Sequence, residues 1–160
     1  MSRVKRTISL GFTEKNVPEG QHICYIYNDD QERLKVMAQY LKSGQEAKEK
    51  LLYLVDAMTS DEMLEYLEES GVDFQDAKPG EITVSDAAPA YCPGGFFNTE
   101  EMLEIVKGFH LGALDEGYVG SRGTGEMGWC LTEGRANHKD LMDYEARLNQ
   151  LLEQYPYTAC

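Results

Sequence analysis

The run Leu51-Leu52-Tyr53-Leu54-Val55-Asp56 places five apolar residues in a row and closes them with a carboxylate. A strand with one wet face alternates apolar and polar residues. An unbroken run of this length marks a strand covered on both faces, as in a parallel sheet. Upstream, Leu34, Met37, Leu41 and Gly44 recur at helical spacing, and His22 to Tyr27 reads as a first strand. Downstream, Thr59 and Glu62 form a capping box for a helix carrying Met63, Leu64 and Leu67, which Gly71 ends. Pro79-Gly80 is a turn into a third strand, 81 to 86, and a loop rich in Pro, Gly and aromatics runs from Tyr91 to Phe97. Asn98 with Glu101 is a second capping box, for a helix with Met102, Leu103, Val106 and Leu114. Tyr118 to Arg122 is a fourth strand leading into the glycine-rich stretch 123 to 129. A last helix spans about 138 to 154, with Leu141, Tyr144, Leu148, Leu151 and Leu152 on one face, and a fifth strand starts at Tyr157.

Strand and helix alternate throughout. The expected fold is α/β: a three-layer sandwich with a mostly parallel sheet of five or more strands and helices on both faces. The domain division is a polar leader, 1 to 18, followed by one domain, 19 to 160. In the leader, the basic start Arg3, Lys5 and Arg6 reads as a frayed terminus, because no apolar run of signal or membrane-spanning length follows it. The chain stops at Cys160 in mid-strand, as a piece of a longer protein would.

A chain of 160 residues, 42% apolar, is long enough to bury a full core. The net charge of −13 opposes DNA, RNA and anionic membranes, which carry the same sign. The partners left are small molecules and proteins. Cys24, Cys92, Cys130 and Cys160 are widely and irregularly spaced, which suits reduced thiols and a cytoplasmic protein.

Between first strand and first helix, a phosphate-binding loop needs Gly-x-x-x-x-Gly-Lys-Ser/Thr. Here Asn28-Asp29-Asp30-Gln31-Glu32-Arg33 fills the turn with acid, so the P-loop is absent and no ATP is expected. Gly120 and Gly125 have the right separation, but Glu126 stands where the lysine must be. Asp86 ends the third strand and reads as a turn acid.

Three ordered motifs carry a resemblance over roughly 18 to 160. They are Gly20-x-His22-Ile23-Cys24-x-x-Tyr27, Arg122-x-Thr124-Gly125-Glu126-Met127-x-Trp129 and Tyr144-Glu145-x-x-Leu148-Asn149. The chain resembles the MEDS domain of methanogens, methylotrophs and the DcmR sensor. That family is regarded as a relative of RecA and KaiC-like domains without a P-loop, and as a sensor module in kinases and transcription regulators. The resemblance implies ligand sensing without catalysis, an attached output domain or partner regulator, and a RecA-like sheet with the first strand between the fourth and fifth. A homodimer is a further expectation.

Ligands of open α/β sheets bind beyond the carboxyl ends of the strands. The candidate ligand-binding residues are therefore His22, Cys24 and Tyr27, with Arg122, Glu126 and Trp129, and with Tyr144, Glu145 and Asn149 from the last helix. His22 and Cys24 leave the same face of a strand. They read as packing residues, as walls of a small-molecule cavity, or as ligands of a metal or tetrapyrrole, with Cys130 and Cys160 as further thiols. Arg122 and Glu126 read as a structural ion pair or as pocket polar groups, with Trp129 as an aromatic wall. The expected signal is a small one-carbon or hydrocarbon-derived molecule. The alternatives are a metal or tetrapyrrole sensor and a ligand-free dimerisation module. An ATPase or thiol transferase has neither the lysine nor the paired base it needs.

Overall fold

Leu51, Tyr53 and Val55 point into one apolar cluster and Leu54 into another, so the central strand is covered on both sides, as its unbroken apolar run requires. The structure is a computed structural model, and residues 4–160 are described. In chain order, β1 (Thr7–Ile8) and β2 (Val17–Pro18) form an antiparallel hairpin ahead of α1 (Asp30–Glu46), β3 (Lys50–Val55) and α2 (Ser60–Glu69). There follow β4 (Ile82–Asp86), the short α3 (Ala87–Tyr91), α4 (Thr99–Asp115), β5 (Ser121–Gly125), a 3₁₀ turn at Gly128–Leu131, α5 (His138–Gln154) and β6 (Thr158–Ala159).

The sheet has four parallel strands in the order β4-β3-β5-β6. One face packs on α1 and α2 through Met37, Leu41, Met63 and Leu67. The other packs on α4 and α5 through Met102, Val106, Leu148 and Leu152. Leu51 is fully buried, and truncating such a residue to Ala costs about 2–5 kcal/mol. The helix starts follow their caps. Thr59 and Glu62 make the reciprocal capping box, and the Asn98 side chain accepts from the Glu101 backbone N–H.

Three expectations are corrected. The first concerns the segment 22–27, which is no strand beyond a single bridge, His22 to Ala159, with Ile23 N–H donating to the Ala159 carbonyl. It lies outside β6 rather than between the fourth and fifth strands. Both edges of β5 are already taken, by β3 and β6, which leaves the segment only the outer edge. Its side chains match this position, with Ile26 85% exposed.

The second correction moves the fourth strand to Ser121–Gly125, so Gly123 and Gly125 are strand residues instead of a turn. The cause is on the sheet face. A Cβ built on Gly123 collides with the Tyr157 hydroxyl, and one on Gly125 with the Tyr91 hydroxyl. The glycines let two tyrosines lie directly on backbone.

The third concerns the leader. Arg3 lies outside the described residues, but from Arg6 onward the leader is fastened down. Ile8 and Leu10 are buried against α1. Arg6 pairs with Glu19 at 2.7 Å and with Glu49, and Glu49 also takes the Arg122 guanidinium. Arg122 and Glu49 are fully buried, and Arg122 also donates to the carbonyls of Ser9 at 3.0 Å and Tyr40 at 3.1 Å. Gly44 makes room for it, since a Cβ there runs into the Arg122 side chain.

Candidate functional site

A cavity of about 540 Å³ opens at the carboxyl ends of β3 and β5, the place where open α/β sheets bind ligands. Its floor is the bare backbone of Gly123 and Gly125. Tyr91, Tyr144 and Tyr157 stand around that floor, and Met102, Val106 and Phe109 of α4 with Leu148 of α5 make an apolar wall. Behind the wall, Tyr91 stacks on Trp129 at 4.9 Å between centroids. Phe97 packs on Trp129 at 5.5 Å and meets Tyr144 edge-on at 5.3 Å. The aromatic side chains Tyr91 and Phe97 of this loop thus plug the core, and Phe96 is its one well-exposed aromatic.

Glu126, just past β5, organises the polar end. One oxygen accepts from the Tyr53 hydroxyl at 2.7 Å and from the Arg33 guanidinium. The other accepts from the backbone N–H groups of Asp56 and Ala57, both at 2.7 Å. Free N–H groups at a strand end attract anions. Here the protein's own carboxylate occupies them. Burial first, and then the neighbouring Glu126, pushes the Tyr53 phenol far up, so it stays a donor.

His22 ties the amino-terminal segment to α5. Its Nδ1 lies 3.0 Å from the Asn149 amide oxygen and its Nε2 lies 3.2 Å from the Glu145 carboxylate. Asn149 is itself aimed by donating to the Glu145 carbonyl at 3.0 Å. Tyr25 and Tyr27 stack at 6.4 Å at the mouth, and the Arg33 guanidinium lies over the Tyr27 ring at 5.9 Å.

Of the nine residues expected at the site, His22, Cys24, Tyr27, Glu126, Tyr144 and Glu145 line the cavity. Asn149 stands behind His22, and Trp129 stands behind Tyr91. Arg122 is elsewhere, and the expected Arg122 to Glu126 pair does not form. Four residues along a strand span about 13 Å, so Arg122 sits at the opposite end of β5, against Glu49. The partner of Glu126 is Arg33, which the sequence hid in an acidic turn. Tyr53 and Tyr157 also line the cavity without having been expected there, and Tyr91 was expected only as part of the aromatic loop. The glycines opposite Tyr157 and Tyr91 were the available signal.

Cys24, Cys130 and Cys160 all reach the cavity, but among the described residues no cluster of three or more His, Cys, Asp or Glu is placed to hold a metal ion. Burial first, and then Cys24, pushes the Cys160 thiol up to about 11, which keeps it protonated at neutral pH. Thiolates are the form that metals take.

The fold and site define an α/β domain with an open-mouthed, largely apolar cavity at the carboxyl ends of its strands. The chain belongs to the MEDS family, the methanogen/methylotroph, DcmR sensory domain, whose model matches residues 21–160. Membership gives it a sensory role in signalling. Comparison with curated proteins and with solved structures gives no match. Among the described residues no helix is long and apolar enough to cross a membrane.

Proposed function

We propose that this domain senses a small hydrocarbon-derived molecule and passes its presence to an output domain or partner regulator, without chemical turnover. The observation that carries the reading is the cavity of about 540 Å³ at the carboxyl ends of the strands, apolar over most of its wall. Its volume lies in the range of sites for ligands of many atoms, about 300–1,000 Å³. A one-carbon compound, not much larger than a water of about 30 Å³, would leave most of it unfilled, so the multi-carbon form of the signal is favoured. Glu126 supports a ligand without phosphate, because its carboxylate holds the N–H groups an anion would use. Kinship with RecA and KaiC-like domains belongs to the same proposal. The phosphate-binding end of such a domain would here have been rebuilt around an internal carboxylate.

Sensing needs an element whose two arrangements the ligand biases. The His22 junction with Glu145 and Asn149 is well placed, since it couples the cavity mouth to α5. A cytoplasmic homodimer is part of this reading. Native mass spectrometry of the gently purified chain tests it. A retained organic mass that disappears on denaturation is the expected result. A bare mass, together with no thermal shift across a panel of small hydrocarbon derivatives, would overturn it.

A further inference from the structure

The cavity is lined by three tyrosines whose rings pack in the core and whose hydroxyls the fold does not use. Tyr91, Tyr144 and Tyr157 are 8%, 4% and 6% exposed, and all three line the cavity. Among the described residues none of their hydroxyls has a hydrogen-bond partner, whereas Tyr53 and Tyr40 each have one. Their oxygens are open to the cavity, since the buried side-chain N and O atoms without a partner among the described residues are those of Arg122 and Trp129, and three hydroxyl donors around one cavity suit a shared acceptor. Burial first pushes all three phenols up, and Tyr144 feels Tyr91 and Tyr157 next, so they remain protonated donors. The surrounding charge excludes an anionic acceptor. The Arg33 guanidinium is matched by Glu126, while Asp56 and Glu145 add further carboxylates to the lining.

We infer that the cavity takes a neutral, oxygen-bearing hydrocarbon derivative, a ketone, aldehyde or alcohol, whose oxygen sits among the Tyr91, Tyr144 and Tyr157 hydroxyls and whose carbon chain lies along Met102, Val106 and Phe109. This rests on the hydrocarbon-sensing reading and narrows it. A hydroxyl-lined site discriminates strongly against an analogue lacking the matching polar group, because its donors are then left bare.

The test is ligand-observed NMR and calorimetry on the intact chain with five six-carbon probes: methyl butyl ketone, hexanol, hexane, hexanoate and hexylamine. The ketone and the alcohol are expected to bind about tenfold or more tightly than the other three. Tyr144→Phe and Tyr157→Phe, which keep the ring and lose only the hydroxyl, should each weaken ketone binding several-fold and leave hexane binding unchanged. Hexane binding as tightly as the ketone would overturn the inference and leave the hydrocarbon reading standing. Preference for hexanoate or hexylamine would overturn the neutral-ligand assignment. No binding by any of the five would remove both readings.

Discussion

Glu126 accepts the backbone N–H of Ala57 at 2.7 Å, and so it closes the end of β3 with a side chain from the neighbouring strand. The same carboxylate neutralises Arg33, whose side chain is 3% exposed. Glu126→Ala therefore leaves a buried guanidinium with only the exposed Asp30 carboxylate, 3.3 Å from its Nε, and should lower the unfolding free energy by about 3 kcal/mol. Adding Arg33→Met removes the stranded charge and should recover a large part of that loss. Urea denaturation of the single and double variants measures both. Equal stability of the two would show that Arg33 does not depend on Glu126.

Glu49 lies between two guanidiniums, those of Arg6 and Arg122, with its side chain fully buried. Glu49→Ala should cost about 3–5 kcal/mol, since it strands the fully buried Arg122. It should also loosen the hairpin β1–β2, next to which Arg6 pairs with Glu49. Hydrogen exchange at the Glu19 N–H, which donates to the Arg6 carbonyl at 2.8 Å, reports that loosening. Unchanged protection there would assign the hairpin's attachment to Ile8 and Leu10 instead.

Several buried acids have raised pKa values, and this fixes the alkaline limit of stability. An acid whose folded pKa lies above its unfolded value holds its proton more tightly when folded. Its contribution is complete below the unfolded pKa and is lost as pH rises through the folded one. Cys160 has an ordinary value of 9.0 and is raised to about 11. Burial raises Tyr40, Tyr53, Tyr91, Tyr144 and Tyr157 above their ordinary 10.0. With respect to these groups, stability is expected to be flat through neutral pH, to start falling above 9.0, and to fall more steeply above 10.0. Circular dichroism with tyrosinate absorbance in a pH series checks this. Ionisation of most tyrosines without unfolding would contradict the burial of their hydroxyls.

The His22 junction is half exposed, with side-chain exposure of 22% for His22 and 46% for Glu145. Its worth to global stability is accordingly small, about 1 kcal/mol or less. Its expected effect is local. In a double-mutant cycle with His22→Ala and Asn149→Ala, the two changes should be coupled, because Asn149 offers its oxygen to the same ring. The readout is protection of the Ile23 N–H, which bonds the Ala159 carbonyl at 2.8 Å. Additive effects on that amide would mean that the two side chains act independently.

The layered fold was legible because its signals are local. The unbroken apolar run of β3, the Thr59 box and the helical spacing of α1, α4 and α5 need no knowledge of the rest of the chain. The edge position of 22–27 was not legible, because an apolar β-rich run reads alike in the middle of a sheet and at its rim. Arg122 misled for a related reason. Its sequence neighbour Glu126 shares the strand's parity but not its end, and its true partner, Glu49, sits in the charged run Lys48-Glu49-Lys50 that reads as a solvated turn. Six of the nine expected site residues reached the cavity because the three motifs all converge on one end of the sheet.

The glycines of β5 give the most direct test of how the cavity is built. A methyl on Gly125 meets the Tyr91 phenol first, with the hydroxyl as the nearest atom and ring carbons at 3.0 and 3.3 Å. A methyl on Gly123 meets the Tyr157 hydroxyl and also the Leu52 carbonyl at 2.9 Å, and that backbone cannot withdraw. Gly125→Ala should therefore cost about 1–3 kcal/mol as overpacking, and Tyr91→Phe should relieve part of the cost by removing the nearest atom. Gly123→Ala should cost more, and Tyr157→Phe should rescue it less. Melting temperatures of the four single variants and two pairs decide the matter. Equal rescue at both glycines would show that the Leu52 backbone moves aside, and no rescue at Gly125 would show that the ring, rather than its hydroxyl, sets the height of the cavity floor.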